Sequence, residues 1–398
     1  MVATRPTRSS TRRAGQNLEG VTVAPVRTWW QRRHFVNLPY RLNRRSNHWV
    51  APLRIAQKDL LNTARHPFYK TSDVEMFLAY RGKRVVGRIM AILNRAHNEF
   101  HQERAGFFGF FDVENDPDAA TALLDAARQW LQARDVQVMR GPVSPSTNYE
   151  CGLLVDGFDR DPAVMMPYNP PYYADLIEAC GLTKAKDLYA FWLTEDQFVV
   201  SDKLTRVAER AKKKDGLTVR TVDLKRFEAE VQAVRKVYND AWSLNWGFVP
   251  VHDEEFQHLA RDMKQIVDPE VVYIAERQVE GMTEPQPVGF MLAVPDLNRA
   301  LKRLSGRLLP VGIFKLLWYS RKINSIRVIT LGVAKEYQSL GIAAVFYDEV
   351  YRRGRAKGYS SAEASWVLED NVLMIRAIEM LGARRHKTYR IYEIPLSD

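Results

Sequence analysis

Apolar runs broken by turn signals recur along the chain, and the pattern repeats itself. Phe77-Leu78-Ala79-Tyr80 enters the polar turn Arg81-Gly82-Lys83-Arg84 and returns through Val85-Val86-Gly87-Arg88-Ile89-Met90-Ala91. Tyr273-Ile274-Ala275-Glu276 enters a longer polar loop and returns through Val288-Gly289-Phe290-Met291-Leu292-Ala293. Both predict β-hairpins, with β-forming apolar residues on either side of a turn and a glycine in the returning strand. Further on, Ile177-Glu178-Ala179-Cys180-Gly181 matches Ile378-Glu379-Met380-Leu381-Gly382 at a constant offset of 201 positions. Each predicts a helix closed by glycine, followed by basic residues and an aromatic strand, over 188–192 and 389–394. Two matching pairs in the same order identify an internal duplication.

The join lies near residue 200 and reads as a helix over 202–214, with Leu204, Val207 and Ala211 at helical spacing and Asp215-Gly216 as its stop. The second copy opens on a short strand, Leu217-Thr218-Val219-Arg220, and an amphipathic helix over 224–242 carrying Phe227, Val231, Val234 and Val237. In the first copy, a strand over 107–111 and a helix over 119–133 are expected. The segment 301–319 is an insertion, apolar on one side with Arg303, Arg307 and Lys315 on the other. It predicts an amphipathic helix packed on its own domain. A lid, a wall for an acyl chain or peripheral membrane contact are the alternatives.

The chain has 398 residues, 46% hydrophobic and 26% charged, which suits two or three globular domains at roughly 150 residues each. Of the +11 net charge, residues 1–60 supply twelve Lys or Arg against Glu19 and Asp59, so the basicity belongs to one end. A solvated basic tail over 1–30 is the simplest account; a footprint on nucleic acid or an acidic membrane is the other. Two cysteines, Cys151 and Cys180, make neither a disulfide framework nor a zinc site, so a cytoplasmic setting and no metal are expected. No apolar run reaches the ~18 residues of a transmembrane segment. The Arg-, Ser- and Thr-rich start fits a transit peptide or a bacterial tail equally.

Chemistry concentrates where the buried strand Val328-Ile329-Thr330-Leu331-Gly332-Val333 runs through Ala334-Lys335-Glu336-Tyr337-Gln338-Ser339-Leu340-Gly341-Ile342-Ala343 into a helix. A strand, a tight loop of small residues and a helix N-terminus form an anion cradle, because backbone N–H groups point outward there and the helix dipole adds its positive end. An ordinary strand-to-helix turn has the same outline. No Walker lysine and no GxGxxG accompany it, so nucleoside triphosphates and dinucleotides lack their signature.

With Gln338, Gly341 and Ala343 at that spacing after the fourth strand, the sequence resembles the GNAT superfamily of acyl-CoA-dependent N-acyltransferases. Ala362-Glu363-Ala364-Ser365-Trp366-Val367 is similar to the family's fifth strand, and Asn371 opens a helix ending Leu381-Gly382, with Ala383 where the family has Phe. The resemblance covers 217–395 well and 45–200 as a degenerate copy lacking the loop. It implies an α/β (α+β) fold of tandem GNAT-like domains, each a mostly antiparallel sheet flanked by helices: tail 1–30, degenerate domain 31–200, working domain 201–398.

The resemblance also implies roles. Acetyl-CoA or another acyl-CoA would lay its pyrophosphate on Gln338, Ser339, Leu340, Gly341, Ile342 and Ala343 and its pantetheine arm beside Leu331 and Val333, with Asn371 holding cofactor or helix start. An amine would attack the thioester directly. The family's acid, a Tyr seven residues after the Asn, is Ile378 here, so either Tyr389 or Tyr392 substitutes or the thiolate leaves without help. Base candidates are Glu363, Glu369 and Asp370; His252 and His386 read as ordinary surface histidines. A small-molecule amine would bind among Tyr238, Asn239, Trp242, Asn245 and Trp246, aromatics with polar interleaving. The loops 144–150 and 169–172 could face that cleft. The expected activity is N-acyl transfer, acetyl first among the groups moved. A carrier- or tRNA-dependent aminoacyl transferase and a non-catalytic CoA-binding protein are the rivals.

Overall fold

In the structure, a computed structural model describing residues 20–199, 202–214, 216–243 and 245–396, the duplicated pattern becomes one continuous sheet. In chain order its strands are β1 (Val21–Pro25), β2 (Ser72–Arg81), β3 (Arg84–Asn94), β4 (Ala105–Val113) and β5 (Val138–Gly141). A small hairpin of β6 (Val143–Ser144) and β7 (Glu150–Cys151) stands off the sheet, followed by β8 (Leu153–Asp156) and β9 (Thr183–Thr194). The second half supplies β10 (Leu217–Thr221), β11 (Val272–Arg277), β12 (Gln286–Pro295), β13 (Ser325–Val333), β14 (Ser361–Leu368) and β15 (Arg384–Pro395).

The spatial order is β1-β2-β3-β4-β5-β15-β9-β14-β13-β12-β11-β10, with β8 added against β15. It reads alike from both ends, which is the duplication made visible. Only β4 with β5 and β13 with β14 run parallel, each at the same place in its half. At the centre the halves exchange strands. β15, from the end of the chain, pairs with β5 of the first half, and β9 pairs with β14 of the second. β9 and β15 then pair with each other along most of their length.

The helices follow from local sequence. Asp116 caps Pro117–Gln132 by accepting the Ala119 N–H, with proline in the first turn where its missing donor costs nothing. Leu123, Leu124, Ala127 and Leu131 form the face it buries on the sheet. Its counterpart Ile342–Ala356 buries Ile342, Val345 and Phe346. The helix Phe227–Trp242 and the joining helix Asp202–Lys212 form where the periodicity places them.

The tail expected over 1–30 ends earlier. Val21–Pro25 pairs with β2, and a capping box of Thr28 and Gln31 starts the helix Trp29–Leu42. Val21 and Val23 bury against the first half's core, which holds this stretch in the fold. Residues 1–19 lie outside the described residues.

Candidate active site

β13 and β14 pair only from Ser325/Ser361 to Val328/Ala364, then diverge. Beyond that point the hydrogen-bonding phase of β13 decides what faces the gap. Ala334 donates to the Val288 carbonyl (2.8 Å), so residues 334 and 288 form a hydrogen-bonded pair. By antiparallel alternation Val333/Gly289 and Leu331/Met291 are non-bonded pairs, whose N–H and C=O turn away from β12 into the notch. Gln338 confirms the direction: its side-chain amide donates to the Val333 carbonyl at 3.4 Å.

The chain then makes a 3₁₀ turn, Lys335–Leu340, and enters the helix Ile342–Ala356 through Gly341 at φ 81°. Among the described residues, the Gly341 amide donates to no carbonyl or side chain, and no side chain caps this helix. Gln338 and Ser339 are exposed; Leu340, Gly341 and Ala343 are half-buried and Ile342 is buried. A left-handed φ favours glycine, and a Cβ at Gly341 would also lie 2.8 Å from Val207 of the joining helix. Asn371 accepts the Met374 N–H at 3.1 Å and is therefore a helix cap.

Beside the first diverging residues lies a buried polar cluster. Glu363, 1% exposed, accepts from Ser365 Oγ at 2.7 Å and meets His386 Nε2 at 3.0 Å. Burial alone would raise the Glu363 carboxyl. The hydrogen bond from His386, the charges of His386 and Arg327, and the Ser365 hydroxyl outweigh it and hold the carboxyl below its ordinary value. His386 Nε2 faces Glu363, while its Nδ1 is buried and has no partner among the described residues. His386 also lines a cavity of about 390 Å³ together with Asp159, Arg160, Trp192, Arg384 and Arg385. Arg327, fully buried, holds this corner together through Ser365 Oγ (3.0 Å) and the Val164 carbonyl (2.8 Å).

Other expected residues fall differently. Glu369 bonds Lys184 at 2.5 Å and accepts the Asp187 N–H at 3.1 Å, and Asp370 bonds Lys186, so both carboxylates are spent on β9. Tyr389 is fully buried with its hydroxyl unpartnered among the described residues, and burial lifts its pKa well above the usual phenol value. Tyr392 donates instead to Glu178, away from this cluster. Ile378 packs in a small core with Phe191 and Val367. Trp242 lies flat on Gly332, where a Cβ would come within 2.0 Å of its ring, and Tyr238 stacks on it at 5.1 Å. Asn239 is exposed, the Asn245 amide closes a turn on the Trp242 carbonyl, and Trp246 packs on the first half's core. The loop over 144–150 does reach across. Thr147 bonds the Gly247 carbonyl, Asn148 bonds Tyr238 and the Val249 carbonyl, and Tyr149 bonds Glu255. Asn169 stays within its own half on Leu154.

No protein-family model matches the sequence. Among solved structures, a tandem GNAT protein from the clavulanic acid biosynthesis pathway superposes with a TM-score of 0.55 at 13% identity, covering 95% of this chain and 99% of that one. A GCN5-related N-acetyltransferase from Sphaerobacter thermophilus gives 0.51 at 13% identity, over 96% and 97%. Two curated proteins match far more closely in sequence. The chain is 36% identical over 383 residues to the bacterial ceramide synthase of Caulobacter vibrioides, covering 94% of this chain and 97% of that protein. The chain belongs to the same family as this relative, and its fold is that of the tandem GNAT proteins. It is also 34% identical over 365 residues to protein YghO of Escherichia coli, over 90% and 91% of the two.

Within this GNAT-like fold the first half has the same notch between β4 and β5, filled by its own atoms. Glu114 donates to the Val86 carbonyl as Ala334 does to Val288, which makes Val113 the counterpart of Val333. The Val113 N–H donates to Tyr173 at 3.0 Å and its carbonyl accepts from Tyr172 at 2.9 Å. Phe110 donates to Ser144 Oγ at 2.9 Å, and β6 lies so close to β4 that a Cβ at Gly109 would strike the Val143 carbonyl. Asp116 and Asp118 at the helix start carry the negative charge that an incoming anion would bring, already paired with Arg81. A buried donor left without a partner costs about 1–3 kcal/mol, so these contacts seal the first copy.

Proposed function

We propose that the protein is an acyl-CoA-dependent N-acyltransferase working in its second half, with a long-chain amino alcohol as acceptor and a fatty acyl-CoA as preferred donor. The observation that carries it is the set of outward main-chain N–H groups at Leu331, Val333 and Gly341, left open in the second half where the first half has filled its own. That set fits coenzyme A. The Leu331 and Val333 groups match the amides of a pantetheine arm, and the Gly341 N–H at the positive end of the helix suits a diphosphate oxygen. Acyl-CoA supplies the activated thioester.

The chain's own residues supply position and proton handling. Neutral His386, which lines the cavity, takes the proton from the attacking ammonium, and Glu363 stabilises the imidazolium that results. Tyr389, held neutral by burial, is a hydrogen-bond donor near Glu363 rather than a group that ionises. A long-chain acceptor and donor follow from the name of the Caulobacter relative, since a ceramide is an N-acylated long-chain amino alcohol; acetyl, the first expectation from sequence, becomes the poorer donor.

The test is CoA release by the purified chain, crossing acetyl-, octanoyl- and palmitoyl-CoA with a long-chain 2-amino alcohol, a polyamine and an aminoglycoside. Fastest turnover is expected for palmitoyl-CoA with the long-chain base. Turnover only with the polyamine or the aminoglycoside would remove the acceptor class, and none with any pair would remove the enzyme reading.

A further inference from the structure

The insertion between β12 and β13 divides into a rooted part and a free part. Ala300 and Leu304 are buried, Arg54 donates to the Gly306 carbonyl, and a Cβ at Gly306 would run into Tyr40. Beyond this anchor the chain forms the helix Gly312–Ser320, which buries none of its residues. Leu309, Val311, Phe314, Leu317 and Trp318 are between 58% and 73% exposed. Positions 311, 314 and 318, with 317 beside them, fall on one helical face. The helix expected to pack on its own domain instead turns its apolar side outward.

Charge singles out what covers it. Between Asp296 and Asn324 there are seven Lys or Arg and no acid. Arg299 and Lys302 are paired with Asp296 and Asp161. Among the described residues, Arg303, Arg307, Lys315, Arg321 and Lys322 have no carboxylate partner; Lys322 lies over the Trp318 ring and Arg303 over Tyr319. An apolar face with tryptophan, rimmed by unpaired cations, is complementary to a bilayer surface bearing anionic headgroups. No helix among the described residues is long and apolar enough to cross a membrane, so this contact lies along the surface.

We infer that the segment 309–322 is a docking surface that seats the protein on an anionic lipid bilayer. The rooted part of the insertion reaches the edge of the cavity. Asp159 and Arg160 line that cavity, and the next residue, Asp161, is held by Lys302 of the insertion. The inference accords with the lipid acceptor proposed above but stands on the patch alone.

The experiment uses the full chain and vesicles of phosphatidylcholine, with and without one-third phosphatidylglycerol, read by co-sedimentation and tryptophan emission. Wild type should bind the anionic vesicles at least tenfold more tightly, less so in high salt. Substituting Phe314→Ser, Leu317→Ser and Trp318→Ser together should abolish binding to both vesicle types. Lys315→Glu with Arg321→Glu and Lys322→Glu should remove only the anionic preference. Wild type that ignores both vesicle types, or a triple-serine variant that binds as wild type does, would overturn the inference. So would a triple-serine variant that only converts a dimer to a monomer, or only raises KM for long acyl chains. Turnover of a detergent-dispersed amine is followed in parallel. Vesicle binding without turnover would strike the acyltransferase reading alone, and turnover without vesicle binding would strike the docking surface alone.

Discussion

Ser339→Glu should turn the second half's cradle into something like the first half's. Asp116 shows that a carboxylate beside the start of this helix is compatible with the fold, and Ser339 is exposed, so the new side chain meets no packing barrier. A negative charge near a helix N-terminus adds roughly 0.3–1 kcal/mol of stability. Binding moves the other way. A carboxylate about 6 Å from a phosphate charge is repelled by about 0.7 kcal/mol in bulk water and by about 2.8 kcal/mol at the effective dielectric of a protein surface. A diphosphate presents two such charges, for about 1.4 to 5.5 kcal/mol in total, and physiological salt trims the upper end. The expected loss of CoA affinity is therefore about 10- to 100-fold, read by titration calorimetry against the uncharged control Ser339→Gln. At about 1 M salt, where the screening length is near 3 Å, most of that loss should vanish. Equal affinities for the Glu and Gln variants, or a loss that is the same at both salt concentrations, would refute an anion cradle at this loop.

The remaining expectations address the proton path, the sealed copy and the contact between the halves. His386→Gln should lower turnover by about 10²- to 10⁴-fold with KM for acyl-CoA little changed. The deficit should shrink at alkaline pH, where the amine is already neutral; a deficit independent of pH would make His386 structural. Calorimetry with CoA should give one site per chain, and a stoichiometry of two would mean that Tyr172, Tyr173 and Ser144 do not close the first copy. Burial pushes the Glu255 carboxyl up to about 7, with the Tyr149 hydrogen bond pulling it partly back. A carboxyl raised on folding contributes stability that is complete below its unfolded pKa and lost as pH rises through about 7. Glu255→Gln should then match wild type in chemical denaturation near pH 5 and exceed it by up to about 3 kcal/mol near pH 8. Parallel behaviour at both pH values would contradict that assignment.

What the sequence disclosed was local. Gln338, Gly341 and Ala343 lie within a single turn of chain, so their pattern was visible without knowing any long-range contact, and both hairpins formed as written. The exchange of β9 and β15 was not visible. An aromatic strand with basic residues before it pairs equally well with its own half or the other, and nothing in its alternation names the partner. His386 was passed over for the same reason. Its partner Glu363 is distant in sequence, and the register shift between Arg385 and Lys387 sets the local geometry. The outward face of the helix Gly312–Ser320 was missed because an amphipathic period identifies an apolar side without saying whether protein covers it.

Duplication alone explains neither why one copy stays open nor where chemistry arises. Two similar sheets begin with the same liability: strands that splay leave main-chain donors and acceptors with no ladder to join. The first half pays that debt internally, with Tyr172 and Tyr173 on Val113, Ser144 on Phe110 and Asp116 at the helix start. In the second half Gly341 stands where a capping side chain would be, so no side chain closes this helix start. The strand exchange adds what a single copy lacks. It carries β15, and with it His386, to the seam where Glu363 of β14 faces Trp192 of β9. In the proposed reading the shared strands frame the Glu363–His386 pair, with β9 of the first half standing between β14 and β15, so the first copy would serve the site as scaffold.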